Sequence, residues 1–458
     1  MKKCSLGLVK PGWICEIVGM DTDTLFPLPA GDEKQKDANT IPRLLRANRE
    51  QIELRPVDLE GVLPADHRAR VVWDFVQGLD LRQFHATIRA VDGHAGRPAI
   101  DPAILLALWL YATLDGVGSA RALARLCEAH DAYRWLCGGV GMNYHTLADF
   151  RVGHAAALDA LLTQSVASLR SAGLVHLNRV AQDGLRVRAS AGRGSFRRGR
   201  RLAQFLAEAA AQVAALGAEV DADPQATTRR QASARERAAR ERHERVQRAL
   251  AELPKIAALK RKKGKPADEA RASTTDAEAR TMHLPDGGFA PAFNVQLAST
   301  PGSQVIVGVD VTNVGSDAGQ LRPMVAQVAQ RYGHYPAQWL VDGGYTAQTG
   351  LQEVSRRGCQ VYAPVPPARS TTRSPYDARP SDSAEIIAWR QRMQSPEAQA
   401  LYKDRAATAE CVNALARNRG LRAVAVRGVA KVRTVALWFA LAHNLLRTHS
   451  LRVATAPS

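Results

Sequence analysis

Two short apolar segments, Val180-Ala-Gln-Asp183-Gly184 and Trp339-Leu-Val-Asp342-Gly343-Gly344, each run into an Asp-Gly pair, and 159 positions separate the two aspartates. Asp-Gly is also a common tight-turn dipeptide, so either segment alone carries little. Together they predict two strands of one sheet. Short strands do not need 159 residues between them, so the sheet must tolerate a large insertion. Residues 197–265 supply it: they are rich in Ala, Arg, Lys and Glu, and Leu202, Phe205, Leu206, Ala209, Val213 and Leu216 share one helical face. Asp223-Pro224 reads as the turn of a helical hairpin. Strand patterns return at residues 293–298, 305–311, 339–342 and 360–365, with a helical pattern over 318–331 and another helix after Asp342. A Pro- and Ser-rich loop over 364–383 then leads into helices as far as about residue 446. The fold class is α/β: a mixed sheet flanked by helices, with a helical insertion after its first strand.

Upstream the pattern is helical. Residues 1–50 mix Pro, Gly and charge without periodicity and predict a poorly ordered leader. Lys10, Pro11 and Glu16 interrupt any apolar run, so this stretch is not expected to act as a secretory signal, and Met1 or Met20 can be the start. Val71, Val72, Phe75, Val76, Leu79 and Leu81 form an apolar stripe, and Asp101-Pro102 is a cap and first-turn pair for a helix through Leu114. Ser119 caps a helix over 120–129. Beyond Gly138, Gly139 and Gly141, Thr146-Leu-Ala-Asp149 has a capping-box pattern for a long helix to about residue 172. The expectation is an all-α domain over 51–172 followed by the sheet domain over 173–450. Short helices between Gly-rich turns suit a helix-turn-helix DNA-binding module and suit a plain packing domain as well.

Charge narrows the partner. Sixty-two Lys and Arg against 44 Asp and Glu leave a formal charge of +18, which favours a polyanion: nucleic acid first, a membrane surface second. Arg197, Arg198, Arg200 and Arg201 open the hairpin, and Lys260-Arg-Lys-Lys263 with Lys265 closes it, a placement that favours phosphate contact over an idle solvated face. The apolar runs 104–114 and 435–446 are too short to span a bilayer and read as buried helices. Cys4, Cys15, Cys127, Cys137, Cys359 and Cys411 include no Cys-x-x-Cys pair, so neither a disulfide framework nor a zinc ribbon is expected, and a reducing cytoplasm fits.

A third acid, Glu410, lies in Tyr402-Lys-Asp-Arg405-Ala-Ala-Thr-Ala-Glu410, at the start of a helix that continues through Arg417. Three acids on separate elements can converge on one site. Phosphodiester cleavage needs an activated nucleophilic oxygen and a stabilised leaving oxygen, and two divalent cations about 3.5–4 Å apart do both. Hard cations such as Mg²⁺ prefer carboxylate oxygens.

Taken over residues 57–446, the chain resembles the DDE insertion-sequence transposases of bacteria. The resemblance is carried by Gly96-Arg-Pro-Ala-Ile-Asp-Pro102, His145-Thr-Leu-Ala-Asp-Phe150, Thr274-Thr-Asp276, Asp286-Gly-Gly288 and Asn294-Val-Gln296, and above all by Tyr402-x-x-Arg405 with Glu410, Arg419-Gly-Leu and Arg427-Gly. It implies a ribonuclease-H-like catalytic domain with Asp183, Asp342 and Glu410 as the metal-binding triad for two Mg²⁺, with Mn²⁺ able to substitute. It also implies double-stranded DNA as partner, a homodimer on DNA and a place at the bacterial nucleoid. The related signature, Tyr-x2-Arg-x3-Glu-x6-Lys, assigns Tyr402, Arg405 and Arg417 to contacts near DNA phosphates. Here one extra residue separates Arg405 from Glu410, and Arg417 stands where the signature has Lys.

Other readings compete. A catalytically silent DNA-binding protein, or a metal-dependent nuclease without strand transfer, would share the charge and the triad. Cys127, His130 and Cys137 lack a fourth ligand and read as packed core. Gly138-Gly-Val-Gly141 reads as a turn, not a phosphate loop. Tyr345 is either structural or a stacking platform for a base. Asp276 and Asp286 read as loop caps, and Asp310, at a strand end, is the best substitute ligand.

Overall fold

The alternation that begins at Val180 becomes a ten-residue strand, β1 (Arg179–Arg188), longer than its Asp-Gly pair suggests. The Asp-Gly pair therefore does not end the strand: both residues lie mid-strand, because β1 pairs antiparallel with a later strand over Ala181–Arg188. The computed structural model describes residues 58–88, 90, 98–222, 226–368 and 373–455. The leader with Met1 and Met20, Gly96-Arg97 and the Asp223-Pro224 turn lie outside the described residues.

After β1 the strands are β2 (Phe196–Arg197), β3 (Ala272–Ser273), β4 (Arg280–His283), β5 (Phe289–Ser299), β6 (Ile306–Thr312), β7 (Gln338–Leu340) and β8 (Gln360–Tyr362). The main sheet runs β4-β5-β1-β7-β8, with β6 also on β5. Strands β4, β6 and β1 are antiparallel to β5, whereas β1 with β7 and β7 with β8 are parallel. Asp286-Gly287-Gly288 makes the tight turn between β4 and β5, both glycines having positive φ. The pair β2-β3 closes the base of the insertion, whose helices span Gly199–Ala222 and Ala226–Lys262.

The N-terminal helices are built as their caps predict. Asp101 accepts from Ala103 N and Pro102 opens the helix Pro102–Leu114, which is buried along nearly its whole length. Ser119 accepts from Ala122 N at the start of Ala120–Ala129. The next helix starts earlier than the capping box suggests: Asn143 is the cap, accepting from Thr146 N, and the helix Tyr144–Gly153 breaks at His154 before Ala155–Ser171. Cys127 and Cys137 are buried, and His130 caps the helix Asp131–Cys137.

These helices share one hydrophobic core with the C-terminal helix Val429–Thr455 and with one face of β5 and β6. Trp109 and Trp438 meet at its centre, 6.5 Å apart, and Trp438 Nε1 donates to Arg151 O at 2.9 Å. The Arg419-Gly-Leu motif is a joint in the same region. Gly420 has φ +85°, and a Cβ there would stand 3.1 Å from Gly116 O, so only glycine lets the two backbones meet. A second core covers the opposite side of the sheet, with Val325, Val328, Trp339, Leu351 and Trp389. Trp438→Ala should cost roughly 3–5 kcal/mol, because it opens a cavity and strips the Arg151 carbonyl of its donor; urea denaturation measures it.

Candidate active site

Parallel pairing of β1 with β7 places Val180 beside Trp339 and Ala181 beside Leu340, so Asp183 and Asp342 follow two residues on from a shared register position. Asp183 Oδ1 accepts from Gly184 N at 2.8 Å. Asp342 Oδ1 accepts from Gly344 N at 2.8 Å and caps the turn Gly343–Tyr345. Burial pushes the Asp183 carboxyl up to about 6; the Gly184 amide and Arg405 oppose this, and Asp342 and Asp317 add to it.

Glu410 arrives on the C-terminal segment, which Arg179 at the start of β1 anchors by pairing with Asp404 at 2.6 Å. The signature's extra residue has a structural expression: Ala406–Glu410 form one π-helical turn between Tyr402 and the helix Cys411–Asn418. Five residues span about 140° beyond a full turn of α-helix, so an α-helix would turn Arg405 and Glu410 away from each other. The wider turn restores their contact, and the Arg405 guanidinium pairs with Glu410 while lying 3.6 Å from Asp183 Oδ2. Arg405 also donates to the Tyr402 hydroxyl at 3.1 Å. Arg417, half-buried two turns beyond Glu410, uses its carbonyl to accept from Arg422.

Asp317, which the sequence reading missed, organises the ground beside the acids. Its Oδ1 accepts from Asn294 Nδ2 and Gln296 Nε2, both at 2.8 Å, and its Oδ2 pairs with Arg186 at 2.6 Å. Gln182 and Tyr345 both donate to Gln296 Oε1, at 2.8 and 2.5 Å, and Trp339 donates to Gln182 at 3.1 Å. Tyr345 is fully buried, so it is structural and offers no face to a base. Burial first, then Asp317, Asp183 and Asp342, hold its phenol well above the usual range. Gly184 faces this network: a Cβ would lie 2.6 Å from Asp317 Oδ1 and 2.7 Å from Gln296 Nε2. The one sequence signal was Asn294-Val-Gln296, whose period of two puts both amides on one face.

The competing acids are occupied elsewhere. Asp276 is buried and accepts from Gly428 N, so Thr274-Thr-Asp276 meets Arg427-Gly at the start of the C-terminal helix, where Glu278 accepts from Val429 N. Asp286 pairs with Arg188 at 2.7 Å, and Asp310 lies 3.8 Å from Arg433.

Residues 57–152 match the family described as transposase domain (DUF772), and residues 368–449 match the transposase DDE domain. The two matches, on separate parts of the chain, support an insertion-sequence DDE transposase. In this transposase Tyr402, Arg405, Glu410 and Arg417 fall inside the matched DDE segment, whereas Asp183 and Asp342 lie between the two matches. No curated protein and no solved structure matches it. No helix among the described residues is long and apolar enough to cross a membrane.

Among the described residues no three His, Cys, Asp or Glu side chains are gathered to grip one ion. The donors nonetheless suit a hard cation: Asp183 is a desolvated carboxylate facing Arg405, and Glu410 pairs with the same guanidinium. A raised acid pKa disfavours the ionised fold, so the metal-free protein should lose stability as pH rises from about 4 through 6. Asp183→Asn should therefore raise the melting temperature of metal-free transposase above pH 6 and leave it nearly unchanged at pH 4. Gly184→Ala should destabilise by about 1–3 kcal/mol through the clash with Asp317 and Gln296, measured by denaturant unfolding.

Proposed function

We propose that this transposase cleaves the ends of its insertion element and joins them to target DNA, with Asp183, Asp342 and Glu410 as its catalytic acids. The observation that carries the reading is the parallel register of β1 and β7, which puts Asp183 and Asp342 each two residues past the Ala181–Leu340 pair, with Glu410 linked to Asp183 through Arg405. The strand order, with three antiparallel strands followed by two parallel ones, supports a ribonuclease-H-like catalytic domain over 173–450, carrying the basic insertion and preceded by the helical domain over 51–172.

Two Mg²⁺ ions, or Mn²⁺, held by these carboxylates would activate the attacking oxygen and stabilise the leaving one. The protein's own groups do the rest. Asp183 and Asp342 would hold those ions beside the strands and so set where the attacked phosphate lies. Arg405, once released from the acids, is free to hold a phosphate oxygen with Arg417, Tyr402 lying against it. Hydrolysis at the element end leaves a 3′-hydroxyl; that hydroxyl then attacks a target phosphodiester in the same site, one P–O bond forming as another breaks. No covalent protein intermediate is needed. Both ends must be handled together, which fits a homodimer on DNA, working on nucleoid DNA in the bacterial cytoplasm.

A labelled duplex carrying the element end, incubated with Mg²⁺ or Mn²⁺, tests this reading. Wild type should nick at the end and Asp342→Ala should not, while both bind equally. Binding without nicking by wild type would overturn it. DNA affinity should also fall with salt at a log-log slope of about −0.9 per phosphate contacted, and Arg417→Ala should flatten that slope by about one contact.

A further inference from the structure

Among the described residues Gln304 is the single non-glycine with positive φ, at 55°. Glycine adopts this conformation without strain, and a residue with a Cβ holds it only where its surroundings over-determine it. Gln304 lies in the turn between β5 and β6, which the C-terminal helix clamps. His443 Nε2 donates to Gln304 O at 2.8 Å, the Asn444 amide straddles Ile306 N and O at 2.8 Å each, and Arg447 Nε donates to Ser303 O at 2.7 Å. The His443 tautomer is consistent throughout, since its Nδ1 faces an Arg419 donor at 3.4 Å. Within the turn, Gln304 N donates to Thr300 O at 2.8 Å.

What the strained backbone achieves is the aim of the side chain. Gln304 Nε2 reaches across 103 positions to donate to Ala407 O at 2.9 Å, in the middle of the π-helical turn. π-Helical turns are rare and need help from outside the helix, because the widened turn disturbs the regular carbonyl ladder. This turn is also where the chain departs from the Arg-x3-Glu spacing.

We propose that Gln304 is a positioning residue for the third acid: by holding the Ala407 carbonyl it maintains the π-helical turn that keeps Glu410 on Arg405, the guanidinium that also approaches Asp183. The inference rests on the catalytic role given above to Glu410, but its structural half is tested without any reaction.

The experiment uses the full chain with Gln304→Gly, which relieves the backbone and removes the donor, and Gln304→Asn, which tolerates positive φ but falls one methylene short. In metal-free protein, amide hydrogen exchange over residues 404–412 should accelerate in both variants while the melting temperature of Gln304→Gly stays level or rises. Nicking of the labelled element-end duplex should fall about a hundredfold in rate at saturating DNA, with DNA affinity unchanged, as expected for a displacement of about 1 Å at a reacting group. Deleting Ala407 in the Gln304→Gly background restores the three-residue spacing and should restore slow exchange and nicking. Wild-type exchange and nicking in Gln304→Gly would overturn the proposal, as would melting temperature and nicking falling together in both variants. Faster exchange in a protein whose wild type never nicks DNA would leave the hold on the turn standing and remove the catalytic reading instead.

Discussion

Three residues of parallel pairing, Arg179–Ala181 against Gln338–Leu340, carry the geometry of the site. This ladder spans nearly 160 positions of chain, and closing so long a loop costs conformational entropy that local contacts cannot offset. The compensation comes from around the ladder. Trp339 is buried in the second core and bonded to Gln182, while Arg179 ties β7 through Gln338 and the C-terminal segment through Asp404. A single side chain thus joins the start of β1 to both later elements of the site.

Around that ladder, polar groups are placed so that burial and satisfaction coincide. Gln182, Asn294 and Gln296 are among the most buried polar residues, and each finds partners in the network that converges on Asp317. A fully satisfied network specifies one arrangement, because any other would strand a donor or acceptor out of water. On the other side, Arg405 lies between Asp183 and Glu410 where positive charge is wanted. The charge that compensates these two carboxylates is therefore protein charge.

The C-terminal helix links the parts. Its Trp438 face packs on the N-terminal helices, and His443, Asn444 and Arg447 fix the β5–β6 turn that reaches the π-helical turn. Its first residues are capped by Asp276 and Glu278. The segments that carry the family resemblance are thus largely joints between elements: Arg419-Gly meets Gly116, Thr274-Thr-Asp276 meets Arg427-Gly, and Asp286-Gly-Gly288 turns β4 into β5.

Much was legible in the sequence because it depends on local periodicity and capping. The insertion hairpin, the helix Pro102–Leu114 with its Asp101 cap and strands β5 to β8 follow from patterns a few residues long, whereas Asp183, Asp342 and Glu410 were singled out as a set only through the family resemblance. Glu410's extra residue was visible too, but whether it broke the site or was absorbed depends on hydrogen bonding across the helix turn, which spacing alone does not encode. Tertiary structure alone decided that Asp183 lies within a strand instead of at its end, since the partner strand β5 continues the ladder past it. It alone revealed Asp317 and Gln304, whose roles arise from contacts with residues tens to more than a hundred positions away. Local sequence determines which elements form; where some of them end, and which partners satisfy their buried polar atoms, is decided only when those elements pack.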